Sequence, residues 1–312
     1  MKTVLITGCN GLLGSKLCAA ALDRYHIVGL DIHPHALPLL PDIIYHRGDI
    51  TRPETAEPVF SEYRPWQVIH TAAFTEVDGC ERDHDRAWQV NVTGAANMAA
   101  LCRRYNAGMV HISTDYVFNG ENGPYTEEDP PNPISWYGRT KLESETAVRD
   151  IMPDAVICRT TVLYGHAPGT RPNFVSWLVS KLDKGESVKI VADQYGSPTL
   201  ADDLAAAIIL LMNRNVSGIF NTVGPDCINR LQFARMIVRA FDLDPSLLGE
   251  LESSRLMQAA SRPSRGGLKT DKIVKSTGFA FSTVADGLRK MRAQMEKDGW
   301  SSPVEISERG SR

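Results

Sequence analysis

Six cysteines are scattered through 312 residues, Cys9, Cys18, Cys80, Cys102, Cys158 and Cys227, and no two of them stand in a Cys-x-x-Cys pair. That scarcity of pattern argues against a zinc site and against a disulfide framework, and it suits buried thiols in a reducing cytoplasm. Long apolar runs are also missing. The longest, Leu204 to Met212, is too short to cross a bilayer, and the N-terminus opens on a strand-like Lys2-Thr3-Val4-Leu5-Ile6 with no signal-type apolar region. No block of lysine and arginine stands out and the formal net charge is −3, so neither nucleic acid nor an anionic membrane is an expected partner. There are no internal repeats and no low-complexity tract. What is present is ordinary for a globular chain, 43% hydrophobic and 23% charged, at a length that suits one large domain with a smaller appendage.

The order of segments is more informative. Val4 to Thr7 reads as a buried strand, and Gly8-Cys9-Asn10-Gly11-Leu12-Leu13-Gly14 leads directly into an amphipathic helix through Leu22. Glycines at 8, 11 and 14 let a chain turn tightly, approach a pyrophosphate and pack its helix on the strand, which marks a dinucleotide turn. The next strand, His26 to Leu30, ends at Asp31, where a carboxylate accepts hydrogen bonds from ribose hydroxyls and repels a 2′-phosphate; this favours NAD over NADP. Strands near Ile43–His46, Gln67–His70, Met109–Ile112 and Ala155–Cys158 alternate with helices over Pro53–Tyr63 and about Glu81–Tyr105. The pattern predicts an α/β fold with a doubly wound parallel sheet and ligand at the carboxyl ends of its strands. At those ends stand Asp49 and Ile50, placed for adenine, and Thr71-Ala72-Ala73, small enough for close passage of a cofactor. Asn91 falls inside a helix, where its amide serves either the site or the helix surface. We assign 1–158 to the dinucleotide-binding domain with part of 195–225 returning to it, 159–300 mainly to substrate binding, and 301–312 to a frayed polar tail.

Between Ser113 and Lys141 lies a set of groups suited to proton transfer: Thr114 after an apolar strand, then a polar, proline-rich loop from Gly120 to Pro133, then Ser135 capping a helix that carries Tyr137 and Lys141. Four residues apart on a helix, the tyrosine and lysine share a face, and the ammonium is expected to draw the phenol toward phenolate. Tyr-x-x-x-Lys alone occurs by chance; its meaning comes from the glycine turn before it.

Taken with Ser113-Thr114-Asp115-Tyr116-Val117-Phe118 and Asp193-Gln194-Tyr195-Gly196-Ser197-Pro198-Thr199, these motifs resemble the extended short-chain dehydrogenase/reductases, and more narrowly the dTDP-4-dehydrorhamnose reductases. The resemblance covers Met1 to about Met295. It implies an NAD(P)H-dependent reductase of the 4-keto group of a nucleotide-linked deoxysugar, with Thr114, Tyr137 and Lys141 catalytic. Tyr137, Lys141 and Thr160 would also touch the cofactor. Thr75, Val77, Asp78, Thr114, Asp115, Tyr116, Val162, Asn173 and Arg262 would lie at the sugar nucleotide. It implies ready use of NADPH and often NADH, against the preference read from Asp31, and both cofactors are retained. Two departures stand out. Val162 follows Arg159-Thr160-Thr161 where the family usually has a tryptophan against the sugar, and Lys16 stands where some members carry a carboxylate for a magnesium-bridged dimer. No bound metal is expected, and the chain is read as a monomer or homodimer. Two other readings fit the same motifs. A sugar-nucleotide epimerase uses the same tyrosine and lysine, and the regulatory β subunit of methionine adenosyltransferase resembles these reductases with an aliphatic residue at the tryptophan position. A 4,6-dehydratase is disfavoured, since Tyr116 stands where a glutamate would be needed.

Overall fold

The computed structural model describes residues 1–40, 42–214 and 216–301, so the expected tail beyond Ser301 lies outside the described residues. A seven-stranded sheet organises the chain. β1 (Thr3–Thr7), β2 (His26–Asp31), β3 (Ile44–Arg47), β4 (Gln67–His70), β5 (Gly108–Thr114), β6 (Val156–Thr160) and a late strand, Gly218–Asn221, lie in spatial order late strand–β6–β5–β4–β1–β2–β3. Every pairing in it is parallel. The order reverses between β1 and β4, and a crevice at the carboxyl ends of those two strands is where such a sheet receives a ligand.

Val4, Leu5 and Ile6 are all fully buried, as expected of a central parallel strand covered on both faces. Their alternation assigns the layers. Val4 and Ile6 pack with Leu13 and Leu17 of α1 (Leu12–Ala21) and with Leu204, Ile208 and Leu211 of a later helix, Ala201–Met212. Leu5 points the other way, into Val59 and Phe60 of α2 (Pro53–Tyr63) and into Ala95 and Met98 of a helix over Gly94–Tyr105. β6 runs to Thr160, two residues past the boundary read from the sequence.

The long helix expected over Glu81–Tyr105 is instead three pieces joined by a wide turn: α3 (Val77–Arg82), α4 (His84–Trp88), a π turn at Gln89–Thr93, and α5 (Gly94–Tyr105). Asp83 breaks the run with φ −135° and caps α4 by accepting from the Arg86 amide at 3.0 Å. α6 (Trp136–Ile151) begins at Ser135, whose hydroxyl accepts from the Gly138 amide at 3.2 Å.

After β6 come β7 (Leu163–Tyr164), α7 (Phe174–Asp183), β8 (Val188–Val191), β9 (Tyr195–Gly196), β10 (Thr199–Leu200), α8 (Ala201–Met212), β11 (Gly218–Asn221), β12 (Ile228–Asn229), α9 (Arg230–Ala240), β13 (Leu248–Leu251), α10 (Asp271–Thr277) and α11 (Val284–Lys297). α7, α9 and α11 share an apolar cluster built on Leu178, Phe233, Ile237, Leu288 and Met291, while α8 and β11 pack with the main sheet.

α6 is tied to the sheet by charge. Glu145 accepts from Arg159 Nε at 2.9 Å and Nη2 at 2.7 Å, both side chains being almost wholly buried. Removing one partner leaves the other charged and unpaired inside the fold. Arg159→Ala is therefore expected to lower unfolding free energy by about 3–5 kcal/mol in urea titrations, with a double Glu145→Leu/Arg159→Met variant costing less than the sum of the two single changes.

Candidate active site

The first turn of the cleft is set by two glycines. Gly8 has φ +70°, and a Cβ there would sit 2.8 Å from the Ala72 amide nitrogen. A Cβ on Gly14 would lie 2.1 Å from the Gly8 carbonyl oxygen. No other residue lets α1 lie this close to its own entry loop, and the opening turn of the helix, Gly11 to Leu13, faces the cavity.

Asp31, at the end of β2, accepts from the Asn10 amide at 3.1 Å and the His33 amide at 3.2 Å. The Asn10 side chain in turn donates to His35 O and accepts from the Leu37 amide, holding the segment after β2 at the cleft rim. Asp49 and Ile50 follow β3, with Asp49 bonded to Thr51 at 2.8 and 2.9 Å. Thr71, Ala72 and Ala73 leave β4 beside Gly8, Thr71 donating to Thr7 O at 2.7 Å.

Together these residues line one cavity of about 1150 Å³ with Thr75, Val77, Thr114, Tyr116, Tyr137, Lys141, Thr160, Val162 and Asn173. Thr114 ends β5, Tyr137 stands in the first turn of α6, and the rings of Tyr116 and Tyr137 meet edge to face at 5.6 Å. The Thr114 hydroxyl and the Tyr137 phenol both face this cavity. Val162 holds φ +46°, a strained backbone for a β-branched residue, at the place of the expected tryptophan.

Four residues expected at the ligands do not line this cavity, each for a visible reason. Asn91, 1% exposed, is consumed by the Phe74 amide (2.8 Å), Phe74 O (3.1 Å) and Thr140 Oγ1 (3.0 Å), so it fixes the wall rather than touching cofactor. Asp78 and Arg262 form a two-pronged ion pair at 2.9 Å that fastens the segment near Ala260 to α3. Asp115 is 3% exposed, held between the Thr114 hydroxyl and the Gly267 amide.

The cavity also holds residues that the sequence reading left out: Arg86, Arg171 and Arg230, with Glu76 paired to Arg171. Arg230 starts α9, set in place by its backbone amide donating a hydrogen bond to Gln194 O at 3.0 Å. Only the Asn229–Gln232 capping box hinted at that helix start.

Lys141 brings the largest correction. It does share a face with Tyr137, but its ammonium donates to Ile112 O at 2.7 Å and lies 3.5 Å from His111 Nε2, and the phenol is raised and not drawn toward phenolate. Burial pushes Tyr137 up, opposed by the Thr114 hydrogen bond, while burial brings Lys141 down to about 8 against the upward pull of Glu145. At neutral pH the phenol keeps its proton. Behind the lysine, His70 and His111 stack at 5.3 Å, with His70 Nδ1 2.7 Å from Thr7 Oγ1 and His111 Nε2 2.9 Å from Ser144 Oγ. Burial, reinforced by the Lys141 charge, lowers His70 to about 3 and His111 well below its usual value.

Lys16 is held internally, its ammonium donating to Asp202 Oδ1 at 3.0 Å and to Gln294 Oε1 at 2.9 Å.

A switch-point crevice under a glycine turn, with a half-buried tyrosine and a buried lysine at its floor, defines an NAD(P)-dependent oxidoreductase of the extended short-chain type. The comparisons agree. The chain belongs to the RmlD substrate binding domain family, whose model matches residues 1–297. It is 35% identical to the probable low-salt glycan biosynthesis reductase Agl14 of Haloferax volcanii over 92% of this chain and 96% of that protein. It is 34% identical to a dTDP-4-dehydrorhamnose reductase of Mycobacterium tuberculosis over 86% of this chain and 85% of that one. The solved dTDP-4-dehydrorhamnose reductase of Bacillus anthracis, in complex with NADP, superposes with a TM-score of 0.85 at 30% identity over 94% of this chain and all of that one.

Because both histidines are neutral in the fold, the unfolded chain binds more protons below pH 6.5, and stability falls as pH drops from there toward about 3 for His70. Each should cost about 2 kcal/mol between pH 7 and pH 5. Urea midpoints at the two pH values check this, and a flat profile would contradict neutral burial of the pair.

Proposed function

We propose that the protein reduces the 4-keto group of a nucleotide-linked deoxysugar with NADPH or NADH, and that dTDP-4-dehydrorhamnose is the substrate to try first. One observation carries the reading: Thr114, Tyr137 and Lys141 face a single cavity that runs from the glycine turn to three arginines. The names of the M. tuberculosis and H. volcanii relatives support reduction, and the first of them supports the dTDP sugar.

The residues fit a dinucleotide. Gly8 and Gly14 let the entry loop pack against the start of the segment after β4 and against α1, and the α1 opening so placed faces the cavity, where a pyrophosphate would sit. Asp31 suits ribose hydroxyls, and the NADP-bound B. anthracis relative keeps NADPH in play. When bound, the nicotinamide supplies a hydride. Tyr137 donates its phenolic proton to the carbonyl oxygen as charge develops there, and its raised proton affinity keeps that proton available until then. Thr114 directs the same oxygen by hydrogen bonding. Lys141 places a charge beneath the phenol, and Glu145 behind it favours the ammonium form. Arg86, Arg171 and Arg230 supply positive charge for the substrate's diphosphate. We place the reaction in the cytoplasm, where the six free cysteines and a supply of reduced nicotinamide are both at home.

Oxidation of NADPH and of NADH with dTDP-4-dehydrorhamnose made in situ tests this. Net consumption is expected; an epimerase would show none, and a regulatory subunit would bind the nucleotide without turnover. Tyr137→Phe should lower kcat by at least about a hundredfold with cofactor affinity intact. Near-normal turnover in that variant would remove Tyr137 from the chemistry.

A further inference from the structure

Between β7 and α7 the chain from Gly165 to Asn173 runs as a strap along the mouth of the cleft. Its base is closed where Asn173 Nδ2 donates to Gly165 O at 2.7 Å, and its tip is folded where the Thr170 amide and hydroxyl both donate to Ala167 O, at 3.2 and 2.7 Å. Gly169, at φ +83°, brings that tip against the segment after β2: a Cβ there would lie 3.1 Å from Leu37 Cδ2. Arg171 then reaches across to Glu76, the residue that opens α3, and the two form an ion pair between side chains 95 residues apart. Both of them line the cavity.

The three arginines of the cleft are not alike. Arg86 lies over the Phe74 ring at 4.6 Å and Arg230 over the Phe174 ring at 5.4 Å, each seated by an aromatic face. Among the described residues, Arg171 alone of the three is paired with a carboxylate. That pair is open to water, its side chains 74% and 47% exposed, and an exposed ion pair is held weakly enough to be exchanged. A diphosphate brings more negative charge than one carboxylate and can take a guanidinium with two parallel hydrogen bonds.

We propose that Glu76 holds the place of a ligand's diphosphate: Arg171 pairs with Glu76 in the empty cleft and exchanges it for the diphosphate of the sugar nucleotide, drawing the strap onto the ligand. This rests on the reading of the cleft as a sugar-nucleotide site. The cofactor's pyrophosphate has its own partners at the opening of α1, whereas Glu76 stands between Thr75 and Val77 at the sugar end. Glu76 is therefore a competitor that every incoming sugar nucleotide displaces. No bond to the sugar or to the nicotinamide is made or broken in the exchange.

Calorimetric titration of the full chain with dTDP, with UDP and, separately, with NADPH tests the exchange. Glu76→Gln should bind dTDP about two- to fivefold more tightly than the wild type, since the ligand no longer displaces a charge from Arg171. Arg171→Ala should bind it at least about tenfold more weakly. Adding Glu76→Gln to Arg171→Ala should change nothing further, because the competitor then has nothing to hold. Hydrogen exchange in a peptide covering Gly165–Asn173 should slow when dTDP is added to the wild type, and should not slow in Arg171→Ala. Unchanged or weaker dTDP binding by Glu76→Gln overturns the exchange. A change confined to NADPH overturns the assignment to the sugar nucleotide, and a wild type that binds neither dTDP nor UDP overturns both parts. None of these arms needs turnover. A protein that shows the exchange yet oxidises no NADPH with a keto sugar defeats the functional reading alone, and one that reduces the sugar with the same KM in Glu76→Gln defeats the exchange alone.

Discussion

Glu145 and Arg159 meet at 2.7 and 2.9 Å between α6 and β6, and the height of α6 on the sheet follows from that contact. Ser113 adds a 2.5 Å bond to the same carboxylate from β5. Because Tyr137, Lys141 and Glu145 recur every fourth residue, fixing the last of them fixes the other two along one face. A buried ion pair is a poor source of net stability, since desolvating two charges offsets their attraction. Here it gives position: a slip of α6 by one residue would strand both charges in the core.

The electrostatics of the site follow from the same burial. Lys141 is nearly enclosed, with its ammonium satisfied by a β5 carbonyl and offset by Glu145, while His70 and His111 beside it stay neutral. Two more positive charges in that space would be costly, so the imidazoles act as uncharged walls. Tyr137, drier than a surface tyrosine, keeps its proton at neutral pH. A phenol in that state suits a carbonyl becoming an alcohol, and a phenolate would suit the reverse.

Much of the sheet was readable because a parallel strand buried on both faces is apolar without interruption, and because Gly8, Gly11 and Gly14 announce where it meets a helix. The helices over Pro53–Tyr63 and from Ser135 onward were equally plain from proline and serine at their starts. The break near Asp83 was not, because the π turn that follows is pinned by Asn91 to Phe74 and Thr140, partners far along the chain. Spacing placed Lys141 on the face of Tyr137 but could not show where the ammonium would go, since a carbonyl of β5 decides that. Asp115 was read as a sugar contact from its place in a motif; its inward turn depends on Gly267, a long way off in sequence. Arg171 and Arg230 reach the cleft through β9–β12 pairing and loop packing that no local pattern encodes.

The claim on which the rest depends is that Tyr137 and Lys141 serve a net reduction. Incubation with dTDP-4-dehydrorhamnose and NADPH deuterated at its transferable position tests it most directly. One deuterium at C4 of the product sugar for each NADPH lost is the predicted result. Full retention of NADPH by a protein that binds it, with no deuterium in the sugar, would contradict it.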